Sequence, residues 1–290
     1  MAKPKLRLHL NELSHDGTAL FLSQVDACKL LPNAIDHVIK YLYTLCPGSK
    51  VPGTRSVTLV LRSMDGVAYT TGSELDDDHK EIHLSLDYVQ NFSKKLKECR
   101  HEIIGVVTHE MVHCYQYNGE GAAPGGLIEG IADFVRLKAG LAPPHWRGPK
   151  EELGEKWDSG YQKTAYFLNW LEEQHGSGTV GKINETMRTE KYDEDKFWEG
   201  IFGKGNSIDV LWKVYCGSLG SEQKNSEEKG LPKDCGNLEK KGQSGEEVEA
   251  EVTTNSELDE DDGAVLVERE DQTPLGRGIG GSVRRRPSTS

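Results

Sequence analysis

The sequence predicts an α+β protein, on three observations. Short runs of alternating apolar and polar residues fill the first ninety positions, the apolar period turns helical from about 101 to 216, and large apolar residues nearly vanish after Gly217.

The alternating runs read as strands. LRLHL (6–10) places Leu6, Leu8 and Leu10 on one face, and SVTLVLRSM (56–64) does the same with Val57, Leu59 and Leu61. VAYTTG (67–72) and EIHLSLDYV (81–89) read alike, with SELDDDHK (73–80) as a polar, exposed loop between them. Between the first two runs a helical pattern covers roughly 23–45 and stops at Pro47-Gly48. Pro32 either begins a new segment or kinks this one.

The second part reads as helices. EIIGVVTHEMVHCYQYN (102–118) forms one buried helix, and GLIEGIADFVRLKAG (126–140) a second, closed by Gly140 and then Pro143-Pro144. SGYQKTAYFLNWLEEQHG (159–176) is a third, with Ser159 as its N-cap and Gly176 past its end. VGKINETMRTEKY (180–192) and SIDVLWKVYCG (207–217) are two more. Trp146, Trp157, Trp170, Trp198 and Trp212 are expected to anchor the packing of this half.

Residues 217–290 hold 17 acidic and 10 basic side chains, a net of −7 out of −12 for the whole chain. Such a segment buries too little apolar surface to offset the entropy of ordering it. The expected division is therefore a folded domain over 1–216 and a disordered acidic tail over 217–290. The basic end, VRRRPSTS, reads as solvated chain.

The acidic balance gives no general attraction for nucleic acid or for anionic membranes, so neither is an expected partner. The six cysteines include no Cys-x-x-Cys pair, which argues against a thiolate zinc finger, and they are too sparse for a disulfide scaffold. The first residues contain no apolar run of signal-peptide length. A reduced, cytoplasmic monomer is expected, with unconventional export left open.

The chemistry concentrates between 109 and 133. His109-Glu110-Met111-Val112-His113 has the form HExxH. On a helix its two imidazoles lie one turn apart on one face, where they can hold a single zinc ion with Glu110 beside a bound water. Catalytic zinc takes three protein ligands and keeps one position open. His101 is eight residues before His109, too far along one helix to serve. Glu129 and Asp133, again one turn apart, share a face of the next helix, which the glycine-rich NGEGAAPGG (118–126) can fold back against the first. Glu129 is assigned as the third ligand. Asp133 then accepts a hydrogen bond from the ring of a ligating histidine, His109. The swapped arrangement, with Asp133 on the metal, stays open. Unpaired carboxylates among Leu127, Ile128, Ile131 and Phe134 would be costly to bury. Cys114 faces away from this site into the core.

HEMVHCYQYNGEGAAPGGLIEGIADFVRLKAG closely resembles the pattern HExxHxxQxxGxGxxPGGLIEGIADxVRLKAG of the plant basic secretory protein family of zinc metallopeptidases, which has bacterial and fungal members. The similarity extends from about residue 5 to 216, through GVAYTTG (66–72) and GYQKTAYFLNW (160–170). The resemblance implies a zincin-like fold, with a mixed N-terminal sheet over a metal-binding helix and a helical C-terminal half that supplies the third ligand. It implies His109 and His113 as zinc ligands, Glu110 as the general base, and protein or peptide substrates. Tyr161, which opens the third helix at the spot matched in the family, is the candidate donor to the oxyanion, with Tyr115, Tyr166 and His145 as rivals. A zinc-stabilised binding module without turnover is the alternative reading. Gly176-Ser-Gly-Thr-Val-Gly181-Lys182 has phosphate-loop spacing, but Ile183 replaces the hydroxyl residue that should reach magnesium, so no nucleotide site is expected.

Overall fold

Four strands carry the alternating runs: β1 (Lys5–Leu10), β2 (Ser56–Arg62), β3 (Ala68–Ser73) and β4 (Asp76–Ser85). They belong to a computed structural model that describes residues 3–227, with the side chains of 3–220. The strands form one mixed sheet in the order β1-β2-β4-β3, with β2 parallel to both its neighbours and β3 antiparallel to β4. Register pairs Leu8 with Leu59 and Leu59 with Ile82, so the alternating leucines of β1 and β2 share a face with Ile82 and Leu84. Val57, Leu59, Leu61, Ile82 and Leu84 are fully buried on that face, while Leu8, on the edge strand β1, stays 36% exposed.

Two expectations about this region need correction. Residues 73–80 are not a loop, because β4 begins at Asp76 and leaves only Glu74 and Leu75 between the strands. The hairpin is polar on both faces there, so alternation of apolar residues could not reveal it. Charge pairs hold it instead: Arg55 with Asp76 and, at 3.5 Å, with Asp78, and Lys80 with Asp77 at 2.7 Å. The strand also ends at Ser85, whose hydroxyl accepts from the Tyr88 amide and caps a short helix, α3 (Leu86–Gln90).

The pattern over 23–45 resolves into the end of α1 (Asp16–Gln24), then α2 (Ala27–Ile39) running directly into a π-helical turn (Lys40–Thr44). Pro32 neither starts nor ends a segment; it lies inside α2. The carbonyl it leaves without a helical donor is that of exposed Cys28, where water can serve it.

The helical half comprises α4 (Leu96–His113), α5 (Gly125–Lys138), α6 (Tyr161–His175), α7 (Thr179–Thr189), α8 (Glu194–Phe202) and α9 (Ile208–Glu227). Helix α4 stops at His113 rather than continuing to 118. Just beyond it the carbonyls of Cys114 and Tyr115 are taken by the hydroxyls of Thr54, at 3.1 Å, and Tyr43, so side chains replace the next helical turn. Cys114 is buried. The N-cap of α6 is Gly160, at φ 86°, and not Ser159, whose hydroxyl closes a local turn with Lys156. Gly176 does cap its other end.

Helix α4 lies against β3 and β4 and touches α2 and α5. Ile103, Val107 and Met111 bury one side of it in the main core. The same core continues as an aromatic region joining α6, α8 and α9, with Trp157 and Trp198 edge to face at 5.1 Å and Phe167 against Trp212 and Tyr215. Trp146 stands apart from it, under the Arg136 guanidinium and edge-on to Tyr166. Helix α9 continues past the composition change at 217 to Glu227; the remainder of the expected tail lies outside the described residues. No described helix is long and apolar enough to cross a membrane.

Candidate metal centre

Two buried helices, α4 and α5, bring the donor side chains together. The chain reverses between them through Gly119, Glu120 and Gly121, all at positive φ. Gly119 is required there, since a Cβ would lie 2.7 Å from that of Tyr192, and its amide and carbonyl bond to Met187 and Tyr192. The turn is thereby tied to the segment around α7. Helix α5 then packs closely on α6, because Gly130 makes room for the Thr164 side chain.

An ion pair fixes α5 against α4. Glu102, two turns before His109, accepts from Arg136 at 2.9 Å, and its other oxygen accepts from the Tyr88 hydroxyl at 3.0 Å. Arg136 also donates from Nε to the Leu141 carbonyl at 3.0 Å. Both partners are buried. A Cβ at Gly105 would sit 2.7 Å from Arg136 Nε, so glycine at this point of α4 makes the bridge possible.

At the working face His109 Nε2 and His113 Nε2 lie 3.2 Å apart, and Glu129 Oε2 lies 3.0 and 3.7 Å from them respectively. Ligand atoms of these three residues all fall within 4.8 Å of one another, a grouping able to hold a metal ion. Asp133 is turned to the other side of the ring, with Oδ1 2.7 Å from His109 Nδ1. That contact places a proton on Nδ1 and directs Nε2 toward Glu129. Burial alone would lower the His109 pKa, but Asp133, helped by Glu129 and Glu110, raises it to about 10. Burial would raise that of Glu129, yet the hydrogen bonds from His109 and His113 hold it well below the usual carboxylate range. The carboxylates thus favour positive charge at the centre, as protons or as a cation, and the imidazole–carboxylate set is one that divalent transition metals take.

Glu110 is buried beside the pair, and its carboxylate Oε2 lies 2.7 Å from the Thr70 hydroxyl on β3. Tyr161, at φ 45°, stacks its ring on His109 with centroids 6.2 Å apart and 15° between planes, and is 56% exposed. Of its rivals, Tyr115 is buried in the core, Tyr166 packs on Trp146 with its pKa raised most by burial and in part by nearby Asp133, and His145 is exposed.

The residue reading missed three partners. Thr70 lies in the quoted GVAYTTG. Gln116 lies in the quoted family pattern, with its amide 3.0 Å from His113 Nδ1 and its Oε1 buried without a hydrogen bond. Turning that amide over sets an oxygen against Nδ1 as acceptor and leaves the Nε2 lone pair of His113 facing Glu129. Arg136 is the arginine of VRLKAG. Thr70 and Arg136 work through contacts across elements, which no period or spacing rule marks, whereas Gln116 sits three residues after His113, a local spacing that could have found it. The glycine-rich 176–182 turn carries no nucleotide signature: Glu172 fills the α7 N-terminus, accepting from the amides of Gly178 at 2.6 Å and Val180 at 2.9 Å.

Fold and site together define a mixed α/β protein with a His-His-Glu cluster between two buried helices. The chain belongs to the family of peptidases of plants and bacteria, the basic secretory proteins, whose model matches residues 3–215. No curated protein and no solved structure matches it.

Proposed function

We propose that this chain is a zinc-dependent peptidase of the zincin type, acting on protein or peptide substrates. The observation that carries this reading is the convergence of His109, His113 and Glu129, with Glu110 on the helix of the two histidines. His109 Nε2, His113 Nε2 and the Glu129 carboxylate would hold one zinc ion. When bound, zinc supplies a Lewis acid that polarises a carbonyl and lowers the pKa of water toward about 7. Asp133 keeps His109 in the tautomer whose Nε2 lone pair is available. Glu110 takes a proton from the attacking water and passes it to the leaving amine. Tyr161, at the mouth of the site and over His109, donates to the oxygen on which negative charge develops. Strand β3 lies at the edge of the sheet and carries Thr70 beside Glu110, so an extended peptide can align along it through backbone hydrogen bonds.

The test is a paired assay of wild type and Glu110→Gln: zinc per chain by elemental analysis, and cleavage of an unfolded protein. One zinc in both, with cleavage only by wild type, is the expected result. One zinc in both with cleavage by neither would favour a zinc-stabilised binding module, and absence of zinc after reconstitution would overturn the site.

A further inference from the structure

Glu110 is held from outside its own helix. The Thr70 hydroxyl lies 2.7 Å from Glu110 Oε2 and 2.9 Å from the Glu110 backbone carbonyl, bridging the main chain and side chain of one residue. Thr70 reaches it because β3 pairs with β4 in a register that sets Thr70 opposite Ile82, on the face of the sheet turned to the core. A free glutamate spreads over many rotamers, and fixing one of them costs up to about 2 kcal/mol of conformational entropy. The hydroxyl carries a single proton, and directing it to Oε2 narrows that choice before any substrate arrives. The proton it donates goes to a carboxylate, the stronger class of hydrogen bond.

We propose that Thr70 is a positioning residue for the reaction: it orients the Glu110 carboxylate toward the metal centre and couples the base to the strand along which substrate aligns. The proposal rests on the reading of Glu110 as general base. Thr70 touches neither the metal cluster nor, by this reading, the scissile bond. Its removal should therefore act on turnover and spare both metal binding and substrate affinity. A misplaced base of this kind costs on the order of a hundredfold in rate when the displacement approaches 1 Å.

Thr70→Val keeps shape and strand propensity and removes only the hydroxyl; Thr70→Ser restores it. In the full-length chain, Thr70→Val is expected to lower kcat about tenfold to a hundredfold, with KM and zinc per chain unchanged, and Thr70→Ser to return kcat to within about threefold of wild type. A second readout does not depend on turnover. With glutamate labelled at the side-chain carboxyl carbon, the Glu110 signal is assigned by its disappearance in Glu110→Gln. That signal should move in Thr70→Val and return in Thr70→Ser. Unchanged kcat together with an unmoved signal in Thr70→Val would overturn the proposal. If Glu110→Gln itself cleaves as well as wild type, the general-base reading fails, while the carboxyl signal still decides whether Thr70 orients Glu110. If zinc is lost in Thr70→Val, the residue belongs to the scaffold of the metal cluster and the positioning role is refuted.

Discussion

Asp133 shows how much one side chain sets the character of the centre. Its carboxylate is buried, 2.7 Å from His109, and is the largest influence raising that histidine's pKa to about 10. In chelator-treated protein the consequence has a definite sign. His109 binds its proton more tightly in the folded chain, so its contribution to stability is complete below 6.5 and is lost as pH rises through about 10. Glu129 is shifted the other way; it contributes above 4.5 and loses that contribution as pH falls. The pair therefore contributes most between 4.5 and 6.5. For Asp133→Asn, the loss of stability relative to wild type, read by denaturant unfolding, should be larger at pH 6 than at pH 10; equal losses would show that Asp133 holds no proton on His109. The same variant should bind zinc about tenfold to a hundredfold more weakly in competition with a chelator, since the ring loses its orienting acceptor.

At the level of elements, α4 and α5 are fixed by the Glu102–Arg136 bridge, and Gly105 is the space in which it sits. Gly105→Ala gains helix propensity but forces Arg136 and the Leu141 carbonyl aside, at a cost of about 1–3 kcal/mol. A measured midpoint equal to or above that of wild type would show that the bridge moves freely. These two helices were legible in the sequence as buried apolar runs, and the i, i+4 spacing of His109 with His113 and of Glu129 with Asp133 put the right faces forward. The N-terminal strands were legible where Leu or Val alternates. They were not where the hairpin over Asp76–Lys80 is polar on both faces, since charge pairing leaves no period. Helices α1, α3 and α8 escaped because they are short, with caps at His15 and Ser85 marking two of them more than any apolar stripe. Thr70 could not be found by spacing, because its partner Glu110 comes from the tertiary fold, whereas Gln116 stands three residues after His113 and was legible by that spacing.

For the whole molecule, a ligand that binds only the folded chain adds stability by mass action. Zinc at a free concentration a thousand times its dissociation constant should add about 4 kcal/mol. For a domain of this size that corresponds to a rise in Tm of roughly 8–16 °C, by scanning calorimetry at fixed zinc. The rise should vanish in His113→Ala and persist in Glu110→Gln, which keeps every donor atom. A rise of equal size in His113→Ala would place the zinc elsewhere.

The close succession of the donor helices also bears on assembly. His109, His113, Glu129 and Asp133 fall within a short span of chain, joined by one glycine-rich reversal. Their encounter closes a small loop, which is entropically cheap. The parallel pairing of β1 with β2 is different, for it must wait until all of α1, α2 and the π-helical turn have been accommodated between them. Of the two encounters, the pairing of β1 with β2 therefore carries the larger closure entropy, and the meeting of the donor helices is the more local.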